Sequence, residues 1–229
     1  MRKFFFILCL IIFSFGYLRA QVATIITVKA GTRVIDYFPP EIRYRYRGFT
    51  DGQLILRNGR ANSGLFNYNF LLGEMEFIRS GDTLAIIDKK SIRLVTVDRD
   101  TFFYDNGYIE LMYNGGIKTG MKQIFRIREI VRKGGFGETN RNSALETYNL
   151  IALYGNFYVI VPNEDWIFEK WTDFFISPPG KGFFPFTMKN VIKYFPLNKD
   201  QIKNYLKSNK VDFASGNDLV KFSWYLDHL

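Results

Sequence analysis

Three arginines alternate with tyrosines near the start of the chain, and they are the strongest indication of a binding site. Arg43, Arg45 and Arg47 are separated by Tyr44 and Tyr46. In an extended strand the three guanidinium groups lie on one face, about 7 Å apart. Guanidinium groups bind carboxylate, sulfate and phosphate through paired hydrogen bonds. The sequence therefore predicts an anion-binding ladder. A charged edge strand that discourages pairing with another sheet is the alternative interpretation.

Catalysis in this chain would depend on carboxylates, because histidine and cysteine are almost absent. His228 is the penultimate residue, and Cys9 is the only cysteine. This excludes the serine–histidine triad, the thiolate nucleophile and zinc sites built from imidazole or thiolate ligands. Glu74 and Glu76 project from one face of a predicted strand, and glycosidases use a pair of carboxylates. A solvated strand face explains the same two residues more simply.

Two further polar motifs are better explained by turns than by ligand binding. A small acidic cluster consists of Asp98, Asp100, Asp105 and Asn106. Its oxygen atoms suit calcium, but its spacing does not match an EF-hand loop, and turn capping explains it. The glycine-rich run at 134–137 lacks the Lys-Ser/Thr completion of a phosphate-binding loop. We therefore expect neither a metal nor a cofactor, and we interpret 133–142 as a surface loop.

The elements that position these residues are predicted to be mostly antiparallel strands over 21–186. Asn58-Gly59 predicts a type I′ hairpin turn, because both residues tolerate positive φ. Met75 and Phe77 alternate with the two glutamates, which predicts one buried and one solvent-exposed face. Short strands with turns every 8–12 residues or so are typical of a small barrel or sandwich. The bends of such a barrel are assigned to Gly64 and Gly73.

From residue 187 onward the apolar period becomes helical. Three short helices are predicted, with Thr187, Asn198 and Ser215 as their N-caps. Each helix carries an apolar stripe, so the segment 187–229 is expected to pack against the strand region. The predicted class is α+β, mainly antiparallel β with a C-terminal group of three short helices.

The first residues predict export. Arg2 and Lys3 precede an uncharged apolar run at 4–15, and Ala20 is a small residue before Gln21. This is the layout of a cleavable signal peptide, 1–20, and its apolar run is too short to span a bilayer. Cleavage also removes Arg19, so three positive charges leave and the formal charge falls from +9 to +6. The mature chain is expected in the periplasm or the extracellular space, without a transmembrane segment.

Several stretches of the chain resemble a family of uncharacterised, exported, β-rich proteins from Bacteroidota. The similar residues are 49–59, 65–77, 81–85 and the tail 194–221, together with the signal ending at Ala20-Gln21. The likeness spans most of the mature chain, and its motifs look structural. No activity is assigned to that family, so the resemblance implies export and a β-rich fold but no reaction.

Export and a basic surface together favour a binding function. Nucleic acid is not expected outside the cytoplasm, so the expected partners are an anionic glycan, a lipid headgroup or an envelope protein. The leading hypothesis is a non-enzymatic envelope module that contacts its partner through Arg43, Arg45 and Arg47. The alternative hypothesis is a carboxylate-dependent glycan hydrolase that uses Glu74 and Glu76.

Overall fold

The structure is a computed structural model that describes residues 24–133, 139–143 and 160–229. The predicted signal peptide and the glycine-rich run at 134–137 lie outside the described residues. The strands are β1 (Ile25–Val28), β2 (Thr50–Leu56), β3 (Ala61–Asn69), β4 (Glu74–Arg79), β5 (Asp82–Ala85), β6 (Ile92–Val97), β7 (Asp100–Tyr104), β8 (Tyr108–Asn114), β9 (Lys118–Lys133), β10 (Thr139–Ser143), β11 (Asp165–Ser177) and β12 (Phe184–Pro185). The helices are α1 (Pro40–Arg43), α2 (Met188–Tyr194), α3 (Lys199–Asn209) and α4 (Gly216–Asp227).

All strand pairs in the described residues are antiparallel and belong to one sheet. Its order is β1-β11-β9-β8-β7-β6-β2-β3-β4-β5, with β10 paired to β9 and β12 paired to β11. The three longer helices follow the last strand. The predicted α+β class, mainly antiparallel sheet with a C-terminal helical group, is therefore confirmed. None of the helices in the described ranges combines the length and the apolar character that a membrane crossing requires.

The sheet curls around the larger of two cores, although its hydrogen-bonded path has two free ends, β1 and β5. The N–H of Phe125 in β9 donates to the carbonyl oxygen of Phe70, just beyond β3, at 2.9 Å. The hydroxyl of Tyr68 donates to the carbonyl oxygen of Gln123 at 2.9 Å. These contacts bring the end of β3 next to β9. We call the six strands from β9 through β8, β7, β6 and β2 to β3 the barrel. The core beneath them includes the fully buried Phe102, together with Phe168 of β11.

Two glycines face each other across the first hairpin, and only one of them is sterically required. Gly52 in β2 pairs with Gly64 in β3. A Cβ atom on Gly52 would lie 2.1 Å from the carbonyl oxygen of Thr96, whereas one on Gly64 would lie 3.4 Å from the ring of Phe66. Of these two glycines, only Gly52 therefore lies where an added side chain would clash with backbone. Gly73 has φ +67°, as a sharp bend between β3 and β4 requires.

The turn at Asn58-Gly59 differs from the predicted type I′ turn. Gly59 has φ +84°, but Asn58 does not have positive φ. The N–H of Leu56 donates to the carbonyl oxygen of Arg60, which leaves a three-residue loop. Loops of this length commonly end in one residue with positive φ, because a type I turn precedes it.

The C-terminal helices form a second core against one end of the sheet. Ile117 from the turn between β8 and β9 and Ile176 from β11 pack with Ile202, Leu219 and Phe222 from α3 and α4, and all five are buried. The side chains of Thr187 and Ser215 accept backbone N–H groups of α2 and α4, as predicted for N-caps. Asn198 makes no such bond, and its amide donates to the side chain of Gln201. A short 3-10 turn, Pro196–Asn198, leads directly into α3 and replaces the cap.

The segment predicted as a surface loop at 133–142 is partly a strand. Thr139–Ser143 pairs with the end of β9, with Thr139 opposite Lys133 and Ser143 opposite Glu129. The polar residues of this segment did not indicate a strand. Its partner is the end of β9, whose residues 129–131 also pair with β11.

Candidate functional site

The predicted arginine ladder does not form, because its residues do not lie in a strand. Pro40 occupies the first turn of α1, where a proline favours helix formation, and Arg43 ends that helix. Tyr44 makes an isolated bridge to Asn69, and bends follow. The three guanidinium groups therefore do not share a strand face, and the expectation of a ladder was wrong.

Arg45 is paired with carboxylates inside the protein. Its Nη2 and Nε atoms donate to the two carboxylate oxygens of the buried Glu110, at 2.9 and 3.1 Å. Its Nη2 also lies 3.5 Å from Asp100, which accepts a hydrogen bond from the Tyr46 hydroxyl at 2.7 Å. The hydrogen bond to Glu110 raises the pKa of Arg45. Arg45 therefore stabilises the barrel, whereas Arg47 is exposed to solvent.

The two candidate catalytic glutamates are also engaged by neighbouring groups. Glu76 is 3% exposed and accepts hydrogen bonds from the Tyr44 hydroxyl at 2.7 Å and from the Asn69 amide at 3.1 Å. Glu74 forms an ion pair with Lys89, and burial raises the pKa of Glu74 against the effect of that lysine. The solvent-exposed face predicted for Glu76 was wrong, because the segment after α1 covers it.

The acidic cluster serves turns and ion pairs. Asp105 accepts the backbone N–H of Phe183 at 3.1 Å, and Asp98 occupies a turn with φ +51°. Asp100 lies against Arg45, as described above. Across the described ranges, no three histidine, cysteine, aspartate or glutamate side chains come close enough together to hold a metal ion.

A groove of about 940 Å³ lies along β11, between the barrel and the C-terminal helices. β1 accompanies β11 only as far as Thr24, whose carbonyl oxygen accepts the N–H of Lys170 at 3.0 Å. Pairing resumes where the carbonyl oxygen of Phe174 accepts the N–H of Phe186 at 2.8 Å. Between these two contacts, no other described strand pairs with this edge of β11. Groove residues include Gln123, Lys170, Thr172, Phe174, Thr187 and Phe213.

Lys170 is the most unusual charged residue of this groove. It alternates with Phe168 and Thr172 along β11, so its side chain projects from the apolar face of the strand. Its Nζ atom lies 3.3 Å from the ring centroid of Phe70, a cation–π contact. No carboxylate of the described residues lies within ion-pair distance of this Nζ. Burial and the positive charge of Arg45 lower the pKa of Lys170 to about 8, and the negative charge of Glu110 opposes this shift only in part.

Other polar residues at or beside the groove lie on both faces of β11. The Gln123 amide donates to the Thr172 hydroxyl at 3.1 Å, next to Lys170 on the same face. On the opposite face of β11, Asp173 forms an ion pair with Arg126. The guanidinium of Arg126 lies 5.3 Å from the ring of Trp171, which is 43% exposed. The groove thus combines an ammonium group, hydrogen-bonding side chains and an exposed aromatic ring at its rim.

Comparisons with protein-family models, with curated proteins and with solved structures give no match for this chain.

A pattern in the sequence also identifies Lys170, although the arginines at 43–47 were predicted as the site. In β11, the alternate residues Phe168, Lys170, Thr172, Phe174 and Ile176 form one face. A lysine among aromatic and aliphatic side chains on a strand face is unusual, since lysine is rarely buried without a partner. That pattern alone distinguishes Lys170 from the many lysines on helix surfaces.

Lys170→Met is expected to raise the free energy of unfolding at pH 7 by roughly 1–2 kcal/mol, after allowance for solvent screening. The folded-state pKa of about 8 lies below the ordinary value of 10.5. Between pH 8 and 10.5 the unfolded state thus binds more protons than the folded state. The free energy of unfolding of the wild type therefore rises with pH over this range. Below pH 8 the lysine is charged in both states, so the full cost of burying its charge applies. In urea unfolding, the variant should exceed the wild type in free energy of unfolding by less at pH 10 than at pH 7. Lys203→Met, at an exposed lysine of α3, should show no advantage at either pH.

Proposed function

We propose that this chain is an exported, non-enzymatic module that binds an anionic glycan in the groove beside β11. The observation that carries the proposal is the ammonium group of Lys170, half-buried at the groove and without a carboxylate partner among the described residues. A charge in this position costs stability unless a ligand pairs with it. A carboxylate or sulfate of an acidic sugar supplies that partner.

The remaining residues of the groove suit a sugar chain. Binding sites for small ligands combine apolar and aromatic surface with a few polar groups that fix orientation. Phe174 and Phe213 supply the aromatic surface, and Gln123, Thr172 and Thr187 supply hydrogen-bonding groups. The groove is open along the strand edge, so it accommodates a linear chain that enters and leaves.

The arrangement of carboxylates supports binding over hydrolysis. Glu169 and Asp173 border the groove, but they are four residues apart on one strand, which separates their Cα atoms by about 13 Å. Glycosidases place their two carboxyl groups about 5–9.5 Å apart. Glu74 and Glu76 accept hydrogen bonds or an ion pair from neighbouring side chains. The hydrolase remains the alternative hypothesis, and turnover of a glycan that Glu74→Gln abolishes would support it.

Export is part of the proposal and rests on the sequence. The signal-peptide layout of 1–20 and the resemblance to exported proteins both support it. The charge of +6 on the mature chain favours encounter with the anionic polymers of a cell envelope. The mature chain begins at Gln21 and contains every residue that the structure describes.

The chain from Gln21 onward is expected to bind a sulfated heparin-derived oligosaccharide but not a neutral cellulose-derived oligosaccharide of equal length. A hydrogen bond to a charged group contributes about 1.5–3 kcal/mol, so Lys170→Met should weaken binding by roughly tenfold or more. The affinity should also fall as the pH rises above 8, because the free protein then loses the proton on Lys170. Isothermal titration calorimetry at pH 7 and pH 9 measures both effects.

Two control variants separate the groove from general basicity. Lys203→Met and Arg47→Met each remove one exposed positive charge outside the groove, and both should bind like the wild type. Equal affinity of Lys170→Met and the wild type, or equal binding of the neutral oligosaccharide, would remove the groove as the glycan site.

A further inference from the structure

A protruding isoleucine lies at the end of the sheet where β2 meets β6. Ile87 is 93% exposed, although large aliphatic side chains are usually at least partly covered. Its backbone is held on both sides. The N–H of the buried Ile86 donates to the carbonyl oxygen of Met75 at 3.3 Å, and the carbonyl oxygen of Ile87 accepts the N–H of Lys89 at 2.9 Å. The apolar side chain is thus presented by a defined loop.

Four exposed cations border the same end of the sheet. They are Arg57, Arg60, Lys90 and Arg93, which we call the basic end. The first hairpin turn and the loop of Ile87 are joined by hydrogen bonds, since Arg57 donates from Nε to the carbonyl oxygen of Lys90 at 3.0 Å and from its N–H to Ser91 at 2.8 Å. Leu56 pairs with Ile92, so β2 and β6 bring these turns side by side.

Opposite charges neutralise little of the basic end. Asp88 is the exposed acid within this loop. Lys89 also belongs to the loop, but it forms an ion pair with Glu74 and is therefore not counted in the net charge. Four positive charges and one negative charge leave a net charge of +3 around an exposed aliphatic side chain.

We propose that the basic end and Ile87 form a docking surface for a bilayer that contains anionic phospholipids. Cationic side chains are attracted to anionic headgroups, and an apolar side chain gains free energy by entering the interfacial region. The two features occur together here, and a lipid surface uses both. A soluble anionic polymer pairs with the cations but offers nothing to Ile87.

This surface is separate from the groove. It lies on β2, β6 and their turns, whereas the groove lies on β11 and the C-terminal segment. Neither Lys170 nor any other residue of the groove contributes to it. Loss of glycan binding and loss of vesicle binding can therefore be measured independently on the same variants.

Sedimentation with vesicles tests the proposal on the chain from Gln21 onward. Wild-type protein should sediment with vesicles that contain 30 mol% phosphatidylglycerol in phosphatidylcholine, and not with pure phosphatidylcholine. Each cation near an anionic surface contributes about 1 kcal/mol, so Arg60→Ser with Arg93→Ser should weaken binding on the order of thirtyfold. Ile87→Ser should weaken it about tenfold, since an aliphatic side chain no longer leaves water.

Leu197→Ser is the matched control for the isoleucine. Leu197 is 97% exposed but lies in the turn before α3, away from the basic end. This variant should sediment like the wild type. The proposal is wrong if Ile87→Ser binds vesicles as well as the wild type does, or if Leu197→Ser is equally impaired. Far-UV circular dichroism confirms that each variant is folded, which is expected because both side chains are almost fully exposed.

Discussion

Arg45→Met is expected to lower the free energy of unfolding by about 2–4 kcal/mol. Removing one partner of a fully buried ion pair costs about 3–5 kcal/mol, because the other charge stays buried without a partner. Here the Arg45 side chain is 33% exposed and that of Glu110 only 10%, so water screens the arginine but reaches the carboxylate poorly. The value expected for this pair is therefore somewhat below that range. Urea unfolding at pH 7, followed by circular dichroism, measures the change.

Arg47→Met is the matched control for this prediction. It removes the same side-chain type two residues further on, at an exposed position, and should change stability by less than about 0.5 kcal/mol. Glu110→Gln completes a double-mutant cycle. The double variant should be less destabilised than the sum of the single variants, since removal of the arginine then leaves no charge behind. Additive effects, or a loss below about 0.5 kcal/mol in Arg45→Met, would show that the pair does not stabilise the barrel.

Gly52→Ala is expected to destabilise the protein by about 3 kcal/mol or more, at the upper end of the range for overpacked sites. The added Cβ would lie 2.1 Å from the carbonyl oxygen of Thr96. That oxygen belongs to the backbone of β6, which is paired with β2 on one side and β7 on the other. The strand cannot move away without losing hydrogen bonds, so the strain is not relieved by a side-chain rotation.

Gly64→Ala is the control, because Gly64 pairs directly with Gly52 across the hairpin. Its added Cβ would lie 3.4 Å from the ring of Phe66, an ordinary contact that a small ring movement relieves. We expect a change below about 1 kcal/mol. Thermal unfolding of the two variants gives the comparison directly, and equal melting temperatures would contradict the steric argument.

Features that depend on neighbours along the chain were predictable. The strand that carries Glu74 and Glu76 was predicted from alternation, and β4 (Glu74–Arg79) contains both residues. The cap at Thr187 and the apolar stripe of α2 were likewise read from a window of a few residues. In both cases alternation or helical periodicity decides the outcome, and these patterns are visible in one dimension.

The partners of charged residues were not predictable in this way. Arg45 and Glu110 are 65 residues apart, and Tyr44 reaches Glu76 across 32 residues. The sequence around Arg43, Arg45 and Arg47 suggested a ladder because nothing nearby in the chain opposed those charges. The carboxylates that oppose Arg45 come from β7 and β8, which the curled sheet brings beneath it.

The surroundings of Lys170 in the groove were also not predictable from the sequence. Lys170 contacts the ring of Phe70 and lies near Arg45, although these residues come from distant parts of the chain. Its position on the apolar face of a strand was readable from alternation. The absence of a carboxylate partner in the described residues could not be predicted from the sequence, because it depends on which elements surround the lysine.

The sequence by itself determined the α+β class, most strands and the three C-terminal helices, because local periodicity and capping act over a few residues. It also supplied the signal-peptide pattern on which the proposal of export depends. Only the tertiary structure decided which charges are paired inside the barrel and which remain available to a ligand. Burial and electrostatic interaction depend on distance in space, and the curling of one antiparallel sheet sets those distances.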